Sequence, residues 1–136
     1  MRGADVVVTA TNSSEPVLRH EWLKPGAHVN AVGSSVKTAR ELDTETMAAG
    51  SLFVDRREST LNEAGDYLFP FEEGAIGPDH IRAEIGEILI GKHPGRTAPD
   101  ELTVFKSLGL AVEDLAAAEY VVRRAEETGT GTTVDF

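Results

Sequence analysis

A chain of 136 residues with 40% hydrophobic side chains, few of them aromatic, fits one domain with one modest core. Its 13 Lys and Arg face 23 Asp and Glu, a formal net charge of -10, so the clustered cations that a nucleic-acid footprint needs are missing. There is no cysteine, which removes disulfides, thiolate nucleophiles and Cys-ligated zinc together.

Along the chain, Val6, Val7 and Val8 form a continuous β-branched run, the pattern of a strand covered on both faces in the middle of a sheet. EWLKPG at 21–26 reads as a turn of helix stopped by Pro25 and Gly26, and a second strand follows at 28–32. A short helix over 41–49 ends at Gly50, and a third strand runs over 51–55 around Leu52, Phe53 and Val54. Strand, helix and strand at this spacing predict a βαβ crossover and a parallel sheet.

Residues 59–64 read as helix closed by Gly65, and 66–77 as a loop pinned by Phe69 and Phe71. Pro78 then opens a helix with Ile81, Ile85, Ile88 and Leu89 on one face and Gly91 as its stop; Gly86 inside it suggests a close helix contact. LTVF at 102–105 predicts a strand, and a long helix follows from about Ser107 to Thr128. Its stripe of Leu108, Val112, Leu115, Ala118 and Val122 is the expected main packing surface. The longest apolar run is far short of the roughly 20 residues of a membrane helix, and the N-terminus lacks the plan of a signal peptide. A cytoplasmic, soluble protein is expected.

The blocks ADVVVTAT at 4–11 and GAHVNAVGSS at 26–35 are each a short apolar strand running straight into small polar residues. Parallel α/β sheets present ligands at such strand ends. A third block, TVFKSLGLAVEDLAAA, spans 103–118. Taken in order, KPGAHVNAVGSS, RELD, FVDRREST, NEAGD, AEIGEIL and TVFKSLGLAVEDLAAA resemble the ornithine cyclodeaminase and mu-crystallin family over residues 4 to 125.

That resemblance implies an α/β fold: the later strands of a Rossmann-type parallel sheet, flanking helices and a long C-terminal helix. Residues 1–136 would be one truncated segment of an NAD(P)-binding Rossmann domain, with about 57–128 returning toward a missing N-terminal domain. The G-x-G-x-x-G turn, the ribose-selecting residue and the substrate-gripping Lys and Arg residues would lie outside it. NAD or NADP is the implied cofactor and a small amino-acid-derived substrate the implied partner, in a homo-oligomer. The implied parent is an imine or ketimine reductase, and the isolated chain is expected to be inactive and to self-associate along its first strand. A cyclodeaminase proper, a mu-crystallin-like protein that binds ligand without turnover, and a truncated remnant are the alternatives.

Thr9, Thr11 and Asn12 stand at the end of the first strand, where hydroxyl and amide groups can meet a ribose or phosphate; they are equally good turn formers. The resemblance assigns Thr11 to the dinucleotide. Asn30, Ala31, Val32 and Gly33 end the second strand, with Gly33 allowing a flat ring to approach the backbone. By resemblance Val32 packs on the nicotinamide.

Ser35 occupies the position of the cyclodeaminase aspartate, as in mu-crystallin. A hydroxyl without an activating partner cannot act as a base near neutrality, which disfavours ornithine cyclisation and favours imine reduction or ligand holding. By the same resemblance Glu63 matches a position near bound substrate, although a lone Glu on such a short helix is more often a solvated face. Ser107, at the expected start of the long helix, faces free N–H groups suited to a polar ligand or simply caps the helix, with Lys106 as a nearby charge. His20, His28, His80 and His93 lack metal-ligand spacing, so no metal is expected. Glu113 and Asp114 are adjacent on a helix and face different directions, which excludes a carboxylate dyad.

Overall fold

The structure, a computed structural model, describes residues 2–134. Five short strands form one parallel sheet: Val6–Thr9 (β1), His28–Ala31 (β2), Ser51–Val54 (β3), Ile81–Glu84 (β4) and Thr103–Lys106 (β5), in the order β1-β2-β5-β3-β4. The helices are Thr44–Ala49 (α1), Arg57–Glu63 (α2), Gly65–Glu72 (α3), Ile85–Leu89 (α4) and Ala111–Thr128 (α5), with one 3-10 turn at His20–Trp22. Pairing aligns Thr9 with Ala31, Lys106, Val54 and Glu84 in one row, so every strand delivers its carboxyl end to the same edge of the sheet.

One sheet face carries the core. Val7, Val29, Val104, Leu52 and Val54 point to it and meet Leu18, Leu42, Met47 and Tyr67 from the flanking segments and helices. Asp43 starts α1 by accepting the Thr46 N–H at 2.9 Å, and the same carboxylate accepts the His20 N–H, which ties the 3-10 turn to the helix. The opposite face is open: Val6, His28, Asn30, Phe53, Phe105 and Ile85 line a groove of about 700 Å³. Among the described residues no helix is long and apolar enough to cross a membrane.

Several elements differ from their sequence expectation. β1 lies at the sheet edge rather than in the middle, and its valines alternate: Val7 is buried, whereas Val6 and Val8 are 57% and 61% exposed. A triple-valine run satisfies a one-faced strand as well as a two-faced one, because β-branching favours extended backbone on either. The expected loop at 66–77 instead begins as α3, which accommodates Pro70 near its end. Phe71 stacks on Tyr67 but is 42% exposed, and Phe69 lies under the Arg40 guanidinium at 5.0 Å.

The expected helix from Pro78 to Leu89 is a strand followed by a single short helix. Ile81 pairs beside Leu52, so sheet pairing overrides a four-residue spacing that both element types can carry. Leu89 is exposed, and Gly86 has open space around it rather than a close helix contact. The last helix begins at Ala111, four residues later than Ser107; Leu108 lies before it and packs partly against the core, whereas Val112, Leu115 and Val122 are exposed among the described residues.

Candidate functional site at the strand ends

The segments leaving β1, β2 and β5 meet at the carboxyl edge and are fastened to one another through their backbones. Val32 donates its N–H to Thr9 O at 2.8 Å, and Ser107 donates to Ala31 O at 3.0 Å. Ser34, held at a left-handed φ of 54°, donates its hydroxyl to Ser13 O at 3.1 Å. On the far side of β5, one oxygen of the buried Asp55 accepts the N–H groups of Leu108 and Gly109, each at 2.7 Å. That carboxylate fixes the path of 107–110.

Beneath these segments lies a buried charged cluster. Glu41, fully buried, accepts the Thr11 N–H on Oε1 at 2.5 Å and the Gly33 N–H on Oε2 at 2.9 Å. Asp66, also fully buried, accepts the backbone N–H groups of Glu41 at 2.7 Å and Leu42 at 2.9 Å. Lys106 is buried at the end of β5, with Nζ 3.2 Å from Asp66 Oδ2 and donating to Gly33 O. Burial pushes the Asp66 carboxyl up, and the Lys106 ammonium and the two N–H donors pull it back only in part. Three charges inside a 136-residue chain need such mutual satisfaction, since each unpaired would cost several kcal/mol, roughly.

The expected site residues divide between surface and support. Thr11 and Asn12 are exposed in the first strand-end segment, and Thr11 Oγ1 accepts the Ser13 N–H at 3.2 Å. Val32 is 46% exposed at the end of β2, and Ser35 is exposed three residues on. Glu63 is exposed at the last position of α2, with Gly65 just beyond it packed against the carbonyls of Val36 and Ala39. The Ser35 segment and the Glu63 helix end are thus neighbours.

The other five expected residues, Thr9, Ala31, Asn30, Ser107 and Gly33, are placed as follows. Thr9 is buried with its hydroxyl unpartnered, and Ala31 is fully buried with its carbonyl engaged by Ser107. Asn30 points to the open sheet face, where its Oδ1 lies 3.3 Å from His28 Nε2. Ser107 does not open a helix; it stands between β5 and the Asp55-held turn. Gly33 is required on the protein side, because a Cβ there would lie 2.2 Å from Thr11 O and 2.4 Å from Glu41 Oε1.

Glu41, Asp66 and Asp55 were not singled out by sequence reasoning, and Lys106 only as a nearby charge. The available signal was a lysine closing an otherwise apolar strand, TVFK, which demands an acidic partner elsewhere in the chain. Among the described residues no cluster of His, Asp or Glu has the geometry to hold a metal ion.

An open parallel α/β sheet with polar segments gathered at one carboxyl edge is the architecture of the ligand-binding α/β class, whose members take ligands at that edge. The family model for the ornithine cyclodeaminase/mu-crystallin family matches residues 1–129, and the chain belongs to that family. It is 42% identical over its full length to the Delta(1)-pyrroline-2-carboxylate reductase of Bacillus cereus, of which it covers 42%. It is 51% identical over 88% of its length to the ketimine reductase mu-crystallin of Mus musculus, covering 35% of that protein. The Delta(1)-pyrroline-2-carboxylate reductase of Thermococcus litoralis, solved with NADH and L-proline, superposes with a TM-score of 0.88 at 44% identity, over 98% of this chain and 41% of that one. The chain therefore spans about two-fifths of the length of these relatives.

Proposed function

We propose that this chain is the nicotinamide-holding part of an NAD(P)H-dependent reductase of imines derived from amino acids, such as a cyclic imine carboxylate. The carrying observation is the carboxyl edge, where exposed Thr11 and Asn12 on the segment after β1 and exposed Val32 and Ser35 on the segment after β2 are brought together by the Val32 N–H to Thr9 O bond and by the Glu41 carboxylate. The reductases of Bacillus cereus and Thermococcus litoralis named above support the substrate class, and the NADH bound to the latter supports the cofactor.

The residues present fit one end of a dinucleotide. Val32 offers an apolar contact for a flat ring, and the hydroxyl of Thr11 and the amide of Asn12 offer polar contacts beside it. Nothing among the described residues fits the pyrophosphate, since no G-x-G-x-x-G follows a strand. When bound, the reduced nicotinamide supplies the hydride for the imine carbon. The chain's own part is to hold Val32 and Thr11 at fixed separation, to keep the core side of the edge dry, and to present the Ser35 hydroxyl as a hydrogen-bonding group. An exposed serine at that position suits a reaction that needs no water activation. A second reading, ligand holding without turnover, rests on the same unactivated hydroxyl.

The reading extends to a homo-oligomer of the full protein, supported by the exposed apolar side chains of α5, Val112, Leu115 and Val122. The test is oxidation of NADH and NADPH by the full protein that contains this chain, against a panel of cyclic and acyclic imines. Saturable oxidation with one imine class is expected. Tight dinucleotide binding with no oxidation would replace the reductase reading with the holding one. The 136-residue chain by itself is expected to show no turnover.

A further inference from the structure

We propose that Glu41 is a positioning residue for hydride transfer: its carboxylate bridges the segments after β1 and β2 and sets the separation of Thr11 and Val32. This rests on the reductase reading.

Glu41 makes no contact that a purely structural acid on the surface would make. One oxygen takes the Thr11 N–H and the other takes the Gly33 N–H, on segments 22 positions apart in sequence. Its own N–H is held by Asp66, whose second oxygen faces Lys106, and Lys106 returns to the carbonyl of Gly33. Gly33 is thus gripped on its N–H by one buried charge and on its C=O by another. Val32 immediately precedes it and Ser35 follows two residues later, so the clamp sets both the ring-contacting side chain and the hydroxyl.

The close approach of Glu41, together with that of Thr11 O, also excludes a side chain at position 33. A side chain one methylene shorter could not reach both N–H groups. An amide in place of the carboxylate would set an NH2 against one of them. Either change leaves one strand-end segment free to drift, and a displacement of about 1 Å between hydride donor and acceptor can cost about 100-fold in rate.

The experiment compares wild type, Glu41→Gln and Glu41→Asp in the full protein, at saturating NADH and with 4-deuterated NADH. For folded variants the expected result is a fall in kcat of about 10- to 100-fold, a KM for the imine changed less than about 3-fold, and a raised primary isotope effect. A drop in kcat with an unchanged isotope effect would signify fewer active molecules and overturn the proposal, as would wild-type kinetics in either variant. If both variants fail to fold, amide hydrogen exchange of the wild type decides. The Thr11 and Gly33 N–H groups are expected to be as protected as strand amides, and exchange at the rate of exposed loops overturns the clamp. A wild type that neither oxidises nor binds NADH sinks the reductase reading and this inference together. An active wild type with indifferent variants sinks this inference alone.

Discussion

At Gly33 the absence of a single carbon keeps two peptide segments together. Gly33→Ala forces a Cβ into Thr11 O and the Glu41 carboxylate and is expected to destabilise by about 1–3 kcal/mol in urea denaturation. Gly86→Ala is the matched control: no atom stands within 4 Å of its Cβ, and the helical backbone gains about 0.4–1 kcal/mol. Lys106→Met strands the buried Asp66 carboxyl and is expected to cost about 3–5 kcal/mol, part of which returns in the double variant with Asp66→Asn.

Glu101 gives a pH dependence of the opposite kind from Asp66. The Ser51 hydroxyl and then the N–H groups of Thr97 and Ala98 hold its carboxyl down from 4.5 to about 2. Its contribution to stability is therefore complete above pH 4.5 and lost as pH falls toward 2. The deficit of Glu101→Gln against wild type, followed by thermal midpoint, is expected to close over that window. Asp66, whose carboxyl is pushed up by burial, contributes stability at low pH that declines as pH rises through its raised value. The acid limb of the wild type thus carries two opposed slopes.

Among elements, α5 stands apart. It has no buried residue, while helices in proteins draw most of their stability from packing an amphipathic face. In the isolated chain its amides are expected to exchange well before those of β2 and β5, and helical ellipticity to fade at lower temperature than the loss of the sheet. Uniform protection across α5 and the strands would show that a partner covers it.

The strands and the parallel sheet were legible in the sequence because Val, Phe and Leu runs bounded by Gly and Pro admit few alternatives. The β4 and α3 regions were not, since Ile81 and Ile85 fit either period and Pro70 reads as a breaker unless its place near a helix end is known. In the surface part of the candidate site, Thr11, Asn12 and Val32 stand at strand ends that the residue pattern locates, whereas Ser35 follows only from the family resemblance. The clamp beneath it does not, because Glu41, Asp66 and Lys106 come from three distant places that only the strand order brings together.

For the molecule as a whole, β1 leaves one ladder edge uncovered, with Val6 and Val8 exposed beside it. The isolated chain is expected to associate at tens of micromolar, as read by light scattering, and Val8→Lys is expected to reduce that association by placing a charge on the edge. A monomer at that concentration in the wild type would count against edge pairing.

The strand order has a further consequence. β5, the last strand made, lies between β2 and β3, so the sheet has no continuous ladder until residue 106 has been synthesised. Before then the strands available can make at most two separate pairs, β1 with β2 and β3 with β4, each with an edge that in the complete sheet belongs to β5. Completion is a late, long-range insertion of the kind that folds slowly and gives misassembly its opportunity. The interval between the emergence of Val54 and of Lys106 from the ribosome is when this chain most needs a chaperone.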